Sequence, residues 1–209
     1  MRLTVHTFLT VDGVMQGPGG PDEDTTGGFT RGGWLVPFVD EDFGAIVDAW
    51  FARAEAILLG RTTYTMMYDY WSQITDPDNL VAAKLNGQPK YVASATLRDP
   101  GWQHTTVLSR DVIERVRELK QQPGDELQVH GSCGLAQALH QAGLVDEYRL
   151  LVAPVTIGAG KRLFAEDAPV SGYTLVESST TGRGAVYSAL RPTSFEVGRF
   201  GVEDGREAV

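Results

Sequence analysis

The chain has 209 residues, of which 42% are hydrophobic, and carries a formal net charge of -9. These values are typical of one globular domain, and the single cysteine, Cys133, excludes a disulfide within the chain. An acidic surface repels the phosphates of nucleic acids and of anionic lipids, so we expect neither as a partner. Because the sequence has no signal-peptide pattern and no apolar run approaching about 18 residues, we expect no membrane contact and a cytoplasmic protein.

The first half of the chain alternates between strand and helix patterns. It opens with a strand rich in Val, Thr and Leu that ends at the turn signal Asp12-Gly13. The segment 17–33 contains seven glycines and two prolines, which predicts a long loop, either a lid over a site or a plain surface loop. Apolar and strand-forming periodicities then predict strands at 3–11, 56–59, 89–94 and 104–108, and helices at 40–54 and 62–70.

The second half continues this alternation and then changes character. We predict helices at 111–121 and 133–142, with strands at 126–130 and 148–155. Two final strands, 174–179 and 185–190, flank Thr181-Gly182-Arg183-Gly184, a hairpin signal. The sequence therefore predicts an α/β fold with a mostly parallel central sheet, helices on both faces and a C-terminal antiparallel hairpin. We assign 1–192 to one domain and 193–209 to a C-terminal tail.

Three junctions that follow predicted strands carry residues suited to phosphate binding. Gly60-Arg61-Thr62-Thr63 and Gly131-Ser132-Cys133 each place a glycine before a helix start, where free backbone N–H groups attract anions. Ser94 follows a third strand. Each segment alone is equally compatible with an ordinary helix cap or with close helix–strand packing. The second junction is neither the dinucleotide fingerprint nor a P-loop.

In this order the motifs resemble the dihydrofolate reductase superfamily, and most closely the reductase domain of bacterial riboflavin deaminase-reductases and their stand-alone relatives. The resemblance spans about residues 2–190. It rests on Thr10-Val11-Asp12-Gly13, Leu59-Gly60-Arg61-Thr62-Thr63-Tyr64, Tyr91-Val92-Ala93-Ser94, Val129-His130-Gly131-Ser132, Leu144-Val145-Asp146-Glu147-Tyr148 and Gly158-Ala159-Gly160-Lys161-Arg162-Leu163-Phe164.

The resemblance implies a reductase with a dihydrofolate reductase-like three-layer fold that takes NADPH as its cofactor. It places the cofactor on Gly60, Arg61, Thr62, Thr63, Ser94, Gly131, Ser132 and Cys133. The substrate implied is a small heterocycle or a ribosylated aminopyrimidine. A homodimer formed through an edge strand or the C-terminal hairpin is also implied.

On the substrate side the resemblance is weaker. Asp12 is a candidate catalytic residue that orients or protonates the substrate, or a turn-forming aspartate that bonds its own backbone. Asp42 and Asp48 lie on the helix that carries an acid in dihydrofolate reductase, and Lys161 and Arg162 are candidate partners for a substrate phosphate. Five aromatic residues between positions 34 and 71 are candidates for a flat wall beside a planar substrate. They include Trp34, Trp50, Tyr64, Tyr68 and Trp71.

Other functions remain open at this point. One alternative is a nucleotide- or pterin-binding protein that keeps the fold without turnover, and another is a ligand carrier without redox chemistry. The histidines show no metal-ligand spacing, so we predict no metal. No G-x-S-x-G elbow is present, which disfavours a serine hydrolase.

Overall fold

The computed structural model describes residues 1–203 and 206–208. One eight-stranded sheet runs through the molecule in the order β4-β3-β2-β5-β1-β6-β8-β7. Its strands are β1 (Arg2–Thr10), β2 (Ala54–Gly60), β3 (Lys90–Ala93), β4 (Thr105–Leu108), β5 (Glu126–His130), β6 (Glu147–Ala153), β7 (Gly172–Thr180) and β8 (Val186–Thr193). The first six strands pair in parallel, and β8 pairs antiparallel with both β6 and β7. The predicted mostly parallel sheet with a C-terminal hairpin is therefore confirmed.

Five helices cover both faces of this sheet. They are α1 (Glu41–Ala52), α2 (Arg61–Trp71), α3 (Leu80–Gly87), α4 (Val112–Lys120) and α5 (Cys133–Gln141). The buried side chains of α4 and α5 share one core with Leu3 and Val129 of the sheet. Those of α1, α2 and α3 pack in clusters on the opposite face. This arrangement gives the predicted three layers, because each helix buries one apolar stripe against the sheet.

Helix α3 is absent from our sequence-based prediction. Val81, Ala82 and Leu85 are buried on one face, but Leu80 and the exposed Ala83 are also apolar, so the sequence of these eight residues shows no clear polar face. Asn79 caps it by accepting a hydrogen bond from the Ala82 backbone N–H at 2.9 Å. Such a short helix gains its stability from tertiary packing rather than from a readable periodicity.

The tail also contains structure beyond the hairpin. Strands β9 (Gly201–Glu203) and β10 (Arg206–Ala208) form a separate antiparallel pair, in a segment for which the sequence analysis predicts only a tail. The main sheet ends one residue into the predicted tail, at Thr193.

Candidate functional site

A cavity of about 740 Å³ opens at the carboxyl ends of the central strands. Residues at or near the ends of β1, β2 and β5 line it, because these three strands are parallel neighbours and finish at the same edge of the sheet. Ligands of open α/β proteins collect at this edge, and the volume lies within the usual range for small-molecule sites.

Two helices begin at this cavity. Gly60 precedes α2, and Ser132 precedes α5 with a left-handed backbone at φ 64°. Neither helix has a side-chain cap, so the N–H groups of both first turns have no side-chain acceptor at the N-cap. Helix α2 begins at Arg61, so Thr62 and Thr63 lie within its first turn and not at its N-cap.

The two helix starts are joined directly. The Gly60 backbone N–H donates to Ser132 Oγ at 2.7 Å. A Cβ at position 60 would come within 3.1 Å of the same oxygen, so only glycine permits this close approach without a shift. Gly131 has φ 63° and lies against Thr63. The structure thus brings both predicted phosphate-binding junctions into one wall.

Three cationic side chains line the cavity. Lys161 forms an ion pair with Asp24 at 2.6 Å, and Arg162 lies 3.5 Å from Asp12. Arg61 is exposed and donates a hydrogen bond to Thr96 Oγ1, and no described carboxylate lies within ion-pairing distance of it. Arg61 therefore differs from Lys161 and Arg162 in having no carboxylate partner among the described residues.

Cys133 opens α5 at the same wall. Its thiol donates to the Arg162 carbonyl oxygen at 3.1 Å and is partly buried. Burial raises the pKa of the thiol above its ordinary value, despite the opposing charge of Lys161. The residue is therefore a packing element of the wall at neutral pH rather than a thiolate nucleophile.

The glycine-rich segment 17–33 folds over the cavity. Its residues Gly17, Pro18 and Asp24 are among those that line it. Gln16 holds the segment in place, since its Nε2 donates to the carbonyl oxygens of Asp24 and Thr26, each at 3.0 Å. The segment is thus a covering loop fastened near its middle, at Asp24 and Thr26, and it lies where a lid over the cavity would lie.

Asp12 lies outside the residues that line the cavity. It accepts hydrogen bonds from Thr10 Oγ1 at 2.6 Å and from the backbone N–H groups of Ile157 and Gly158 at 3.2 and 2.8 Å. The Thr10 hydroxyl is the main cause that lowers the pKa of Asp12 to about 2. The carboxylate therefore fastens the loop before Arg162 and is ionised at neutral pH.

Three other predicted residues are also placed away from the cavity. Ser94 is buried and accepts from the backbone N–H groups of Thr96 and Leu97, so it closes its own turn. Asp42 accepts from the Gly182 N–H at 3.0 Å and joins α1 to the β7–β8 hairpin. Asp48 is exposed on α1 and does not line the cavity.

The floor of the cavity contains two residues that our sequence analysis did not single out as functional. His6 of β1 and His130 of β5 are register partners in adjacent strands, and their rings stack at 4.8 Å. Trp50 packs edge-on against His6, and Phe51 stacks on His130 at 4.3 Å. Of the five aromatic residues proposed for a flat wall, Trp50 and Trp71 line the cavity.

Burial controls the charge of both histidines. It is the main cause that lowers the pKa of His130 to about 3, with the charge of Arg149 as a second cause. Burial also lowers the pKa of His6 well below its ordinary value. Both rings are therefore neutral at physiological pH. The alternation of side chains along β1 and β5 could have revealed these two histidines in the sequence, since it places polar residues on an inward-facing stripe.

A buried charged network continues from the histidines along the same face of the sheet. Arg149 of β6 donates to both carboxylate oxygens of Glu126, at 2.7 and 3.2 Å, and to Glu147 at 2.9 Å. All three side chains are at most 5% exposed. Gln128 joins this network to His130, so the floor of the cavity rests on a fixed polar base.

The described residues contain no group of three or more His, Cys, Asp or Glu side chains placed to hold a metal ion. Among the same residues, no helix is both long and apolar enough to cross a membrane.

A three-layer α/β fold with a mostly parallel sheet, a C-terminal antiparallel hairpin and a cavity at the strand ends defines a dihydrofolate reductase-like protein. The chain belongs to the RibD C-terminal domain family, whose model matches residues 2–187. This membership supports a reductase type of function.

Individual relatives agree with this assignment. The Bacillus subtilis (strain 168) protein YyaP is 27% identical over 187 residues, which cover 88% of this chain and 92% of YyaP. A protein of Shewanella sp. PV-4 assigned to riboflavin biosynthesis has the same fold, with a TM-score of 0.65, 17% identity and coverage of 92% of this chain and 99% of that one. A pyrimidine reductase-like protein of Corynebacterium diphtheriae gives a TM-score of 0.63 at 12% identity, covering 93% and 92%.

Acinetobacter baumannii RibD matches with a TM-score of 0.58 at 14% identity. The match covers 92% of this chain and 58% of that RibD, so the present fold corresponds to a part of the longer protein.

Proposed function

We propose that this protein is an NADPH-dependent reductase that transfers a hydride to a C=N or C=O bond of a small heterocyclic or ribosylated substrate. The observation that carries the proposal is the pairing of two helix starts at one cavity, joined by the Gly60–Ser132 hydrogen bond and flanked by Arg61. The absence of a Cβ at Gly60 allows the two starts to approach closely, which suits a pyrophosphate between them.

The residues have separate tasks in this proposal. The first turns of α2 and α5 hold the pyrophosphate through Gly60, Thr62, Thr63, Gly131, Ser132 and Cys133. Arg61 binds the additional phosphate of NADPH. Ser94 shapes the turn that carries Thr96, and Thr96 accepts a hydrogen bond from Arg61. The bound dinucleotide supplies the hydride, and the protein supplies orientation.

The substrate would occupy the remaining floor of the cavity. Trp50 and Trp71 offer flat apolar surfaces there, and Lys161 and Arg162 offer positive charge for a substrate phosphate. The loop 17–33 excludes water from this space. We assign Asp12 a positioning task, since it fastens the Ile157–Gly158 backbone that precedes these cations.

A titration with NADPH and NADH tests the proposal. We expect micromolar binding with a preference for NADPH, followed by nicotinamide fluorescence and thermal shift. Arg61→Ala should weaken NADPH binding by about tenfold or more, because a charge-assisted hydrogen bond to phosphate contributes about 1.5–3 kcal/mol. NADH binding should change less, since NADH lacks the extra phosphate.

Arg110→Ala is the matched control, because Arg110 is exposed and does not line the cavity. Its NADPH affinity should equal that of the unaltered protein. If neither nucleotide binds, the reductase proposal is wrong. Binding without oxidation of NADPH by any pterin or aminopyrimidine would instead favour a nucleotide-binding protein without turnover.

We further propose that the reductase works in the cytoplasm as a homodimer. The single cysteine suits a reducing compartment, since no disulfide is needed within the chain. Strand β7 ends the sheet, and its outer edge and the exposed Leu175 and Val176 are available for a second copy.

A further inference from the structure

The amide of Gln128 has one orientation that satisfies its surroundings. Its Nε2 lies 2.6 Å from the Trp50 carbonyl oxygen and 2.7 Å from Glu126 Oε2. Both partners are acceptors, and Glu126 is held in ion pairs with Arg149 and Arg2. A flipped amide would place its oxygen against these two oxygens. Gln128 Oε1 must therefore face His130, at 2.9 Å from Nε2.

This orientation fixes the proton of His130. Because Oε1 of Gln128 only accepts, Nε2 of His130 must carry the hydrogen and donate it. The ring is neutral, since burial lowers its pKa to about 3. Nδ1 therefore presents a lone pair. The ring is held between Phe51 and His6, with an interplanar angle of 6° to Phe51, so its orientation is set by packing.

The cavity leaves polar atoms of both histidines without protein partners. No described residue donates a hydrogen bond to His130 Nδ1, and His130 lines the cavity. His6 Nδ1 is buried without a partner among the described residues, while its Nε2 lies 2.9 Å from Thr4 Oγ1. His130 Nδ1 is thus open to the cavity, whereas the unpartnered His6 Nδ1 is fully buried, which is costly to a folded protein and is often explained by function.

We propose that His130 Nδ1 is a hydrogen-bond acceptor of the substrate pocket, so that the bound ring presents an N–H or O–H edge to it. Gln128 is the positioning residue that sets this tautomer. A ring that presents a carbonyl or phosphate oxygen at this point is rejected, because two lone pairs would face each other. The inference rests on the proposed use of the cavity and narrows its substrate to heterocycles whose bound edge carries an N–H or O–H donor.

The tautomer is testable without any ligand. In protein labelled with ¹⁵N-histidine, NMR at pH 7 should show His130 neutral with its proton on Nε2. Gln128→Met should convert this signal to a mixture of tautomers, whereas Thr4→Val, which removes the partner of His6, should leave it unchanged. A proton on Nδ1, or a charged ring, in the unaltered protein would overturn the inference whatever the protein catalyses.

The specificity is tested with uracil and 1,3-dimethyluracil, which differ in their N–H donors. We expect uracil to shift the His130 Nδ1 resonance. Its affinity should be at least about tenfold higher than that of the dimethyl compound, because the dimethyl compound leaves a buried acceptor without a donor. In His130→Phe, which keeps a flat ring, the two affinities should become equal. If the ratio persists in this variant, or if uracil leaves the resonance unmoved, the inference is wrong.

The same titrations separate this inference from the proposed function. Repeating the uracil titrations with and without saturating NADPH shows whether the nucleotide binds at the helix starts of α2 and α5, separately from uracil. Failure of NADPH to bind, with the uracil effect intact, would remove the reductase and retain the acceptor role of His130.

Discussion

At the scale of single residues, the two imidazoles in the cavity floor carry the most chemistry. His6 and His130 are neutral mainly because burial disfavours their charged forms, and the nearby positive charge of Arg149 adds to this effect. A neutral ring offers a defined donor on one nitrogen and a defined acceptor on the other. Such a ring serves recognition of a substrate edge better than it serves proton storage.

The buried histidines should make the protein sensitive to acid. Their pKa values are lower in the folded protein than the ordinary 6.5, so the unfolded chain binds protons more readily. Their contribution to stability is therefore complete above about pH 6.5 and is lost as the pH falls towards 3. We expect the free energy of unfolding, measured with urea, to fall by about 1.4 kcal/mol per pH unit for each histidine.

Variants of single histidines isolate this effect. His130→Phe should reduce the slope of the unfolding free energy against pH by about the contribution of one histidine. His104→Asn is the control, since His104 is exposed and asparagine tolerates its positive φ of 57°. An unchanged slope in His130→Phe would show that other groups cause the acid sensitivity.

At the scale of elements, three adjacent strands share one buried network of charges. Glu126 of β5 and Glu147 of β6 face Arg149, and Arg2 and Arg191 approach from the surface. Charges so deeply buried are tolerated because each has a partner of opposite sign. The network also supports Gln128, so the strands that form the core position the cavity floor as well.

Removal of the central cation should destabilise the whole sheet. Arg149→Leu leaves the Glu126 and Glu147 carboxylates buried beside each other without their main partner. We expect a loss of about 3–5 kcal/mol in the free energy of unfolding at pH 7. Chemical denaturation measures it.

Arg115→Leu gives the matched comparison on the surface. Arg115 pairs with Glu118 on α4, and both side chains are more than half exposed. Loss of this ion pair should lower the free energy of unfolding by about 0.5 kcal/mol or less. Equal effects of the two substitutions would contradict the view that burial makes the Arg149 network important.

The element scale also shows how far periodicity alone reaches. The eight strands of the main sheet and four of the five α-helices in the described part of the chain follow from hydrophobic spacing and turn signals, with ends displaced by one to a few residues. Helix α3 does not, because its buried positions are fixed by Trp71 and Trp102 packing against the same cluster rather than by an amphipathic stripe. The positions of the two glycine junctions before α2 and α5 were predictable, because glycine and small polar residues at a strand end have a local conformational meaning.

At the scale of the whole molecule, strand β7 forms an exposed edge of the sheet. Seven consecutive residues of β7, from Thr174 to Thr180, are exposed, and Leu175 is 57% exposed. We expect a dimer in solution, formed through this edge and detected by light scattering or sedimentation. Leu175→Lys should shift the dimer towards monomer, because a lysine on an edge strand opposes pairing.

Tyr70→Lys is the control for that experiment. Tyr70 is 62% exposed on α2, away from β7 and outside the cavity lining. The Tyr70→Lys substitution should leave the measured mass of the dimer unchanged. A monomer at all accessible protein concentrations would show that the edge is not an interface between copies of this chain.

The sequence by itself determined the α/β class, the C-terminal hairpin and the two glycine junctions before α2 and α5. These are local properties, since periodicity, turn residues and helix starts depend on near neighbours along the chain. Asp12 could also be recognised locally as a turn residue. Its partners at Ile157 and Gly158 could not, because they come from a distant loop.

Only the tertiary structure decided which of these pieces meet. It placed the Gly60 and Ser132 junctions in hydrogen-bond contact, directed Ser94 and Asp42 to other tasks, and brought His6 beside His130. The reason is the strand order, which inserts β5 between β1 and β2. Strand order is set by pairing between distant segments, and the pattern of one segment contains no information about its neighbour in the sheet.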